Sequence, residues 1–417
     1  MTRVCLVTTG QPSTNPRLVK EADALVEAGY DVRAIGAFWA PWALETDPGL
    51  MATRRWTFGM IDWRKERSSV IFHGSRVRHW LARRAVGSPF EKVLTAAAVL
   101  ARVGPELARA AAAAEAELYV AHNLGALPAA IHAARAHDAR TGFDAEDFHS
   151  GQLPVGSPLA RYTARVERSL LPMCDYVTAA SPGIAEAYEA ECGIGLPPTV
   201  LNVFPLASRP AHFREPDPQA PVRLYWFSQS IGPDRGLETA VHAVGLCQRH
   251  GVELHVQGAP LLGYDRVLRE LAIRVGLPQS ALHIHPPDAP DAMVQRAAGY
   301  DIGLAIEPLA GKNNDLALSN KVFTYLLAGC AVAATRTHGQ ARLLPQLGDA
   351  AVGCAPNDAA SLAAALEPWL ADRARLLGAR RMAWALGEST FNWDREKLVL
   401  LGVVKKALEH PNVRRSA

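Results

Sequence analysis

No run of about eighteen uncharged apolar residues occurs in the chain, so no segment reads as a membrane-spanning helix. The first apolar stretch, Val4 to Val7, is too short for the core of a signal peptide and leads into a polar loop. Cysteine is sparse and scattered. Cys5, Cys174, Cys192, Cys247, Cys330 and Cys354 include no C-x-x-C pair, which leaves out a zinc ribbon and a disulfide framework and predicts a cytoplasmic protein. A net charge of +3 is too small to call for nucleic acid. G-x-G-x-x-G is missing from both halves, which argues against a nicotinamide-dependent oxidoreductase.

What the chain does have is length and alternation. At 417 residues it exceeds one core, and a hydrophobic fraction of 49% with 20% charged residues belongs to a globular protein. Val4 to Thr8, a polar loop, an amphipathic helix from Arg17 to Gly29, and Asp31 to Ala37 make a strand–helix–strand crossover. Further strands are expected at 118–121, 141–145 and 176–180, with a helix from Leu94 to Ala116 and others between the strands. Seven prolines from Pro197 to Pro221 read as an interdomain linker. The alternation then repeats, with strands at 222–227, 252–257, 282–285, 302–306, 331–335 and 350–353 and closing helices at 361–386 and 394–408. The expected fold is α/β, with two doubly wound parallel-sheet domains. They span 1–205 and 219–380, and residues 381–417 pack back on the first domain. The site is expected in the cleft, at the carboxyl ends of the strands.

Residues 38–92 stand apart. Five tryptophans (Trp39, Trp42, Trp56, Trp63, Trp80) are mixed with cations, and between positions 54 and 92 ten Lys and Arg face three acids. Such a segment suits an anionic membrane surface, or is a solvated face whose tryptophans are core. No nucleic-acid motif accompanies the charge.

Five stretches carry candidate chemistry. Ser319 to Gly329 reads as a short helix with Lys321 in its first turn, where a cation opposes the helix dipole. Either Lys321 is solvated or an anion binds there. Phe227 to Leu237 joins a strand to a helix through Ser230, Gly232, Arg235 and Gly236. Arg235 and Lys321 from separate strand ends can then converge on one diphosphate. Thr9 to Arg17 brings Gly10, Asn15 and Arg17 to another strand end, where Arg17 could hold a ligand or simply start a helix. His122-Asn123 follows a strand directly, and His122 is either a proton carrier or structural. Asp144-Ala145-Glu146-Asp147 could supply a general acid or base, or hydrogen bonds that fix the loop.

With these motifs in view, the chain resembles retaining, nucleotide-sugar-dependent glycosyltransferases of the GT-B fold, the group 1 or family 4 type. Asn15-Pro16-Arg17 with Glu21 to Tyr30 is similar to that family's opening, and His122-Asn123 to its His-Asp. Asp144 to Asp147 is similar to its "D.HE", Asn202 to its interdomain asparagine, Ser228 to Gly236 to its phosphate loop, and Ser319 to Gly329 to its donor helix. The resemblance implies metal-independent transfer of a sugar from a nucleoside-diphosphate sugar, with retention, to a polysaccharide or lipid-linked acceptor at the inner face of the membrane. The donor is a co-substrate, and no cofactor or metal is implied. It implies His122, Arg235 and Lys321 as catalytic, and Ser230, Gly232, Arg235, Glu307, Ser319, Asn320, Lys321 and Thr324 as donor-binding. Gly10, Asn15, Arg17, His122, Asn123 and Asp147 fall to the acceptor. Ser230 stands where the family carries a basic residue, and Thr324 where it carries the ribose-binding glutamate. These two departures also suit a non-catalytic subunit of the same fold.

Overall fold

The computed structural model describes residues 1–93, 95–217, 219–288 and 292–409. The chain divides into two compact units. One is Met1–Val200 together with the chain from Lys397, and the other is Leu201–Glu396.

The first unit holds six parallel strands: β1 (Arg3–Thr8), β2 (Asp31–Ala37), β3 (Thr57–Ile61), β4 (Leu118–His122), β5 (Arg140–Ala145) and β6 (Tyr176–Ala179). Their order in the sheet is β3-β2-β1-β4-β5-β6. The second unit repeats the plan with β7 (Val222–Ile231), β8 (Val252–Pro260), β9 (Leu282–His285), β10 (Ile302–Ala305), β11 (Ala331–Thr335) and β12 (Ala351–Cys354), in the order β12-β11-β10-β7-β8-β9. Both are doubly wound sheets. The strand order reverses between β1 and β4 in one and between β7 and β10 in the other, which opens a crevice at the carboxyl ends of those strands. The strands are apolar almost throughout, as sheets covered on both faces require: β4 and β11 are buried at every position.

Three expectations need correcting. β3 escaped the sequence reading because it is a half-exposed edge strand, pairing only with β2 and holding no buried position of its own. The helix expected from Leu94, itself outside the described residues, to Ala116 is two helices, Ala96–Leu100 and Gly104–Ala112. Pro105 lacks an N–H and would clash with the carbonyl four residues back, so the first helix stops and a second begins. The closing helix at 361–386 is likewise two, Ala359–Ala371 and Arg373–Ser389, because the Asp372 side chain caps a new start by accepting from the Ala374 and Arg375 N–H groups. The proline-rich stretch read as the interdomain linker is anchored at Arg214. Arg214 donates to the Ala298 and Tyr300 carbonyls at 2.9 Å and to Asp301 at 2.5 Å, which ties it into the second unit.

One packing detail places the Ser319–Gly329 region. The helix Asn320–Ala328 lays Tyr325 flat against β10, where a Cβ on Gly303 would lie 2.1 Å from the ring. The Tyr325 hydroxyl donates to the Tyr225 and Leu304 carbonyls at 3.0 and 3.2 Å. Gly329 follows in the left-handed region (φ 75°) and ends the helix.

Candidate functional site

Each unit presents candidate residues at its own switch point, beginning with the first. Asn123 directly follows β4 in the left-handed region (φ 68°), which asparagine tolerates better than most residues. Its Oδ1 accepts from the Thr9 hydroxyl (3.1 Å), and the Gly10 N–H donates to Thr8 Oγ1 (3.3 Å), so the β1 and β4 loops lock together. The Leu124 N–H donates to His149 Nε2 at 3.2 Å, and burial pushes the His149 imidazolium down, which keeps that nitrogen an acceptor. Asp147 is half-buried two residues past β5, its carbonyl accepting from the Tyr188 hydroxyl.

Beneath these loops lies a buried charge cluster. Asn15 caps the helix Pro16–Glu27 by accepting from the Leu18 N–H (3.1 Å), and its Nδ2 donates to Glu146 Oε1 (3.0 Å). Arg17 and Glu21, four apart, share one helix face. Arg17 donates through Nε and Nη2 to both Asp144 oxygens (2.7 and 2.6 Å) and through Nη1 to the Val200 carbonyl (3.0 Å). His122 lies between acids, with Nε2 3.1 Å from Glu21 Oε2 and Nδ1 3.4 Å from Asp144 Oδ2. Two expectations change here. Arg17 is 7% exposed with its fork given to Asp144, and His122 is 0% exposed, so neither meets a ligand directly. Both are held inward by their partners, Asp144 and the Val200 carbonyl for Arg17 and the Glu21 and Asp144 carboxylates for His122.

Burial disfavours the His122 cation, but Glu21 and Asp144 outweigh it and raise the imidazolium to about 10. Burial likewise lifts the Asp144 carboxyl, yet Arg17 and His122 hold it well below the carboxylate range. Glu146 goes the other way. Burial, then the like charge of Asp144, pushes it up to about 7. A carboxyl that titrates near neutrality can exchange protons with a hydroxyl nucleophile. Glu21, His122 and Asp144 lie close enough for a metal, but Arg17 already satisfies Asp144 and its charge opposes a cation. Glu21 was not given a role from the sequence, and Glu146 was read only as one member of the Asp144–Asp147 acid cluster. The available signals were the four-residue spacing from Arg17 and the second acid of the Asp144–Asp147 cluster.

In the second unit Gly236 sits in the left-handed region (φ 74°), and a Cβ there would lie 2.3 Å from the Ile306 carbonyl. Glycine thus lets the loop after β7 press on the end of β10. Gly232 directly follows β7. Exposed Arg235 donates back to the Ser228 and Ser230 hydroxyls (3.2 and 3.4 Å), so Ser230 orients the arginine. Across the switch point, Glu307 Oε1 accepts from Lys321 Nζ and from the Ser319 hydroxyl, both at 2.7 Å. The Lys321 ammonium also stands 5.5 Å over the Trp226 ring. Burial raises the Glu307 carboxyl, and Lys321, Ser319 and Arg235 together bring it below its usual value. Asn320 is exposed in the first turn. Thr324 is corrected out of the donor set. It is 0% exposed, and its hydroxyl donates to the Asn320 carbonyl inside its own helix.

No protein-family model matches the chain, and neither does any curated protein. Solved structures do. HepE from Anabaena in complex with UDP superposes with a TM-score of 0.67 at 15% identity, covering 97% of this chain and all of that one. A glycosyltransferase from Rickettsia africae gives 0.68 at 12% identity over 98% of this chain and all of that one. WaaG, a glycosyltransferase involved in lipopolysaccharide biosynthesis, gives 0.59 at 13% identity over 97% and 99%. At such identities the likeness is one of fold, and it runs the length of the chain: this protein has the GT-B fold.

Proposed function

We propose that the chain is a glycosyltransferase that moves a sugar from a nucleoside-diphosphate sugar to a lipid-linked or polysaccharide acceptor, with retention of anomeric configuration and without a metal. The carrying observation is that Lys321, in the first turn of its helix and 2.7 Å from Glu307 Oε1 just past β10, and exposed Arg235, in the loop after β7, both belong to the β7/β10 switch point. Two cations at such a crevice suit a diphosphate, which would compete with Glu307 for them and whose departing charge they would stabilise. HepE has been crystallised with UDP and with UDP-glucose, which supports a nucleotide-sugar donor by analogy of fold. Ser230, Gly232, Ser319 and Asn320 complete the donor set.

In the first unit Gly10, Asn123 and Asp147 are the acceptor residues. Glu146 exchanges the proton, and Asn15, Arg17 and His122 position it from beneath. A lipid-linked acceptor is favoured by the helix Ser69–Ala85. One face of it exposes Val70, Val77, Trp80 and Leu81 together with Arg76, Arg83 and Arg84. Such a face suits the anionic inner surface of a membrane. Among the described residues no helix is long and apolar enough to cross one. Trp56 and Trp63 are not part of this surface. Trp56 is core, and Trp63 donates to the Phe38 carbonyl under the Arg102 guanidinium.

A non-catalytic subunit of the same fold is the second reading, motivated by buried Thr324 where a donor-binding glutamate is expected. A panel of radiolabelled sugar nucleotides, scored for hydrolysis and transfer beside thermal shift with nucleoside diphosphates, separates the two. Transfer from any donor supports the enzyme. A diphosphate-induced shift with no turnover supports the subunit, and neither response overturns the diphosphate site.

A further inference from the structure

Away from these loops, the edge of the second sheet carries three histidines and a glutamate on one face. Glu253 and His255 alternate along β8 and therefore project to the same side. His255 pairs in register with His283 of β9, and His285 lies two residues further on. The opposite side chains, Leu254, Val256 and Leu282, are in the hydrophobic core. The His255 and His283 rings stack 4.3 Å apart and nearly parallel.

We propose that Glu253 Oε2, His255 Nε2 and His283 Nε2 form a binding site for a divalent transition-metal ion such as Zn²⁺, with the fourth position open to solvent. Glu253 Oε2 is 3.3 Å from His255 Nε2 and 4.0 Å from His283 Nε2, and the three atoms lie within 4.8 Å of one another. Ligand atoms on a tetrahedral zinc with its usual bond lengths are about 3.3 Å apart, so the Glu253–His255 distance already fits, and the partly exposed His283 ring would turn out of its stack on His255 to aim its lone pair at the ion.

Hydrogen bonding decides between this site and a merely stacked pair. His255 Nδ1 is 3.0 Å from His285 Nε2. Without a metal, His285 donates to His255 and His255 donates to Glu253, which leaves His283 Nε2 buried with no hydrogen-bond partner. With a metal, His255 Nδ1–H donates to His285 Nε2 while both remaining Nε2 atoms bind the ion. Every buried nitrogen is then satisfied, and His285 takes the outer-shell role that fixes a ligating imidazole. Imidazole with one carboxylate selects zinc-like ions over magnesium or calcium. The ion would clasp the four-residue edge strand β9 to its neighbour.

The test uses the full, untagged chain. Equilibrium dialysis should find one Zn²⁺ per chain at this site, with a higher melting temperature in Zn²⁺ but not in Mg²⁺ or Ca²⁺. Co²⁺ should give visible d–d absorption without thiolate charge transfer, as nitrogen and oxygen ligands dictate. His283→Gln and Glu253→Gln, both at partly exposed positions, should each weaken binding at least tenfold while melting normally in chelator. If one of them fails to fold, the other decides. Absence of Zn²⁺ uptake, or uptake and cobalt spectra unchanged in the variants, overturns the site.

Discussion

Lys321 Nζ lies 2.7 Å from Glu307 Oε1, and that carboxylate is the anion which makes a first-turn lysine tolerable at the positive end of its helix. The pair is half-buried, with side-chain exposures of 14% and 25%. A diphosphate arriving at the site therefore meets a lysine that is already partnered. Glu307→Gln removes the competing charge, so nucleoside diphosphate should bind several-fold more tightly, as isothermal titration would read. Unchanged or weaker binding would show that Glu307 does not compete with the ligand.

Lys321→Ala and Arg235→Ala should each lower transfer at least a hundredfold, or roughly 2–4 kcal/mol of transition-state stabilisation. Their effects on folding should differ. Arg235 is exposed, and its loss should leave the melting temperature unchanged. Lys321→Ala strands a partly buried carboxylate and should destabilise by about 1 kcal/mol. Near wild-type rates in both variants would place the diphosphate elsewhere.

The buried cluster predicts falling stability as the solution becomes alkaline. Glu146 sits at about 7 in the folded chain against an ordinary 4.5, so the folded state holds its proton more tightly. Stability from this group is full below pH 4.5 and is lost as pH rises to about 7. Melts of Glu146→Gln across that window should show a flatter pH dependence than wild type.

His122 continues the trend. Its folded value of about 10 exceeds the ordinary 6.5, so its contribution is complete below pH 6.5 and disappears between there and pH 10. His122→Gln should be less stable at pH 6 and should lose the slope above pH 6.5. A slope that persists in the variant would mean the imidazole is neutral in the fold.

Liposome flotation tests the exposed helix face. Arg76→Glu with Arg83→Glu and Arg84→Glu should abolish recovery with anionic vesicles, and wild-type recovery should fall with salt. Arg78 is the built-in control. It pairs with Glu106 at 2.5 Å, so Arg78→Gln should affect stability more than flotation. Equal recovery with neutral and anionic lipid would remove the membrane from the account.

Much of the fold was legible because parallel strands covered on both faces write themselves as short apolar runs between helical patterns. β4, β6 and β11 and the helices after them needed no tertiary information. β3 was not legible, since an edge strand without a buried face leaves no alternation to read. The donor stretch was found by a misplaced charge, Lys321, and by two glycines, but the sequence could not say that Glu307 would answer the lysine from another loop. Nor could it tell an inward histidine from an outward one. His122 ends a strand in either case, and only the positions of Glu21 and Asp144 decide that it is enclosed.

The closing helix, Trp393–Glu409, belongs to both units. The Trp393 N–H donates to the Phe204 carbonyl and Asp394 accepts from the Leu206 N–H in the second, while Lys397 pairs with Glu27 at 2.9 Å in the first. Chain order thus runs against spatial order. A ribosome releases the entire second unit, Leu201–Glu396, before it releases the helical turns that complete the first. The first unit is therefore still without these turns when all of the second has already been synthesised.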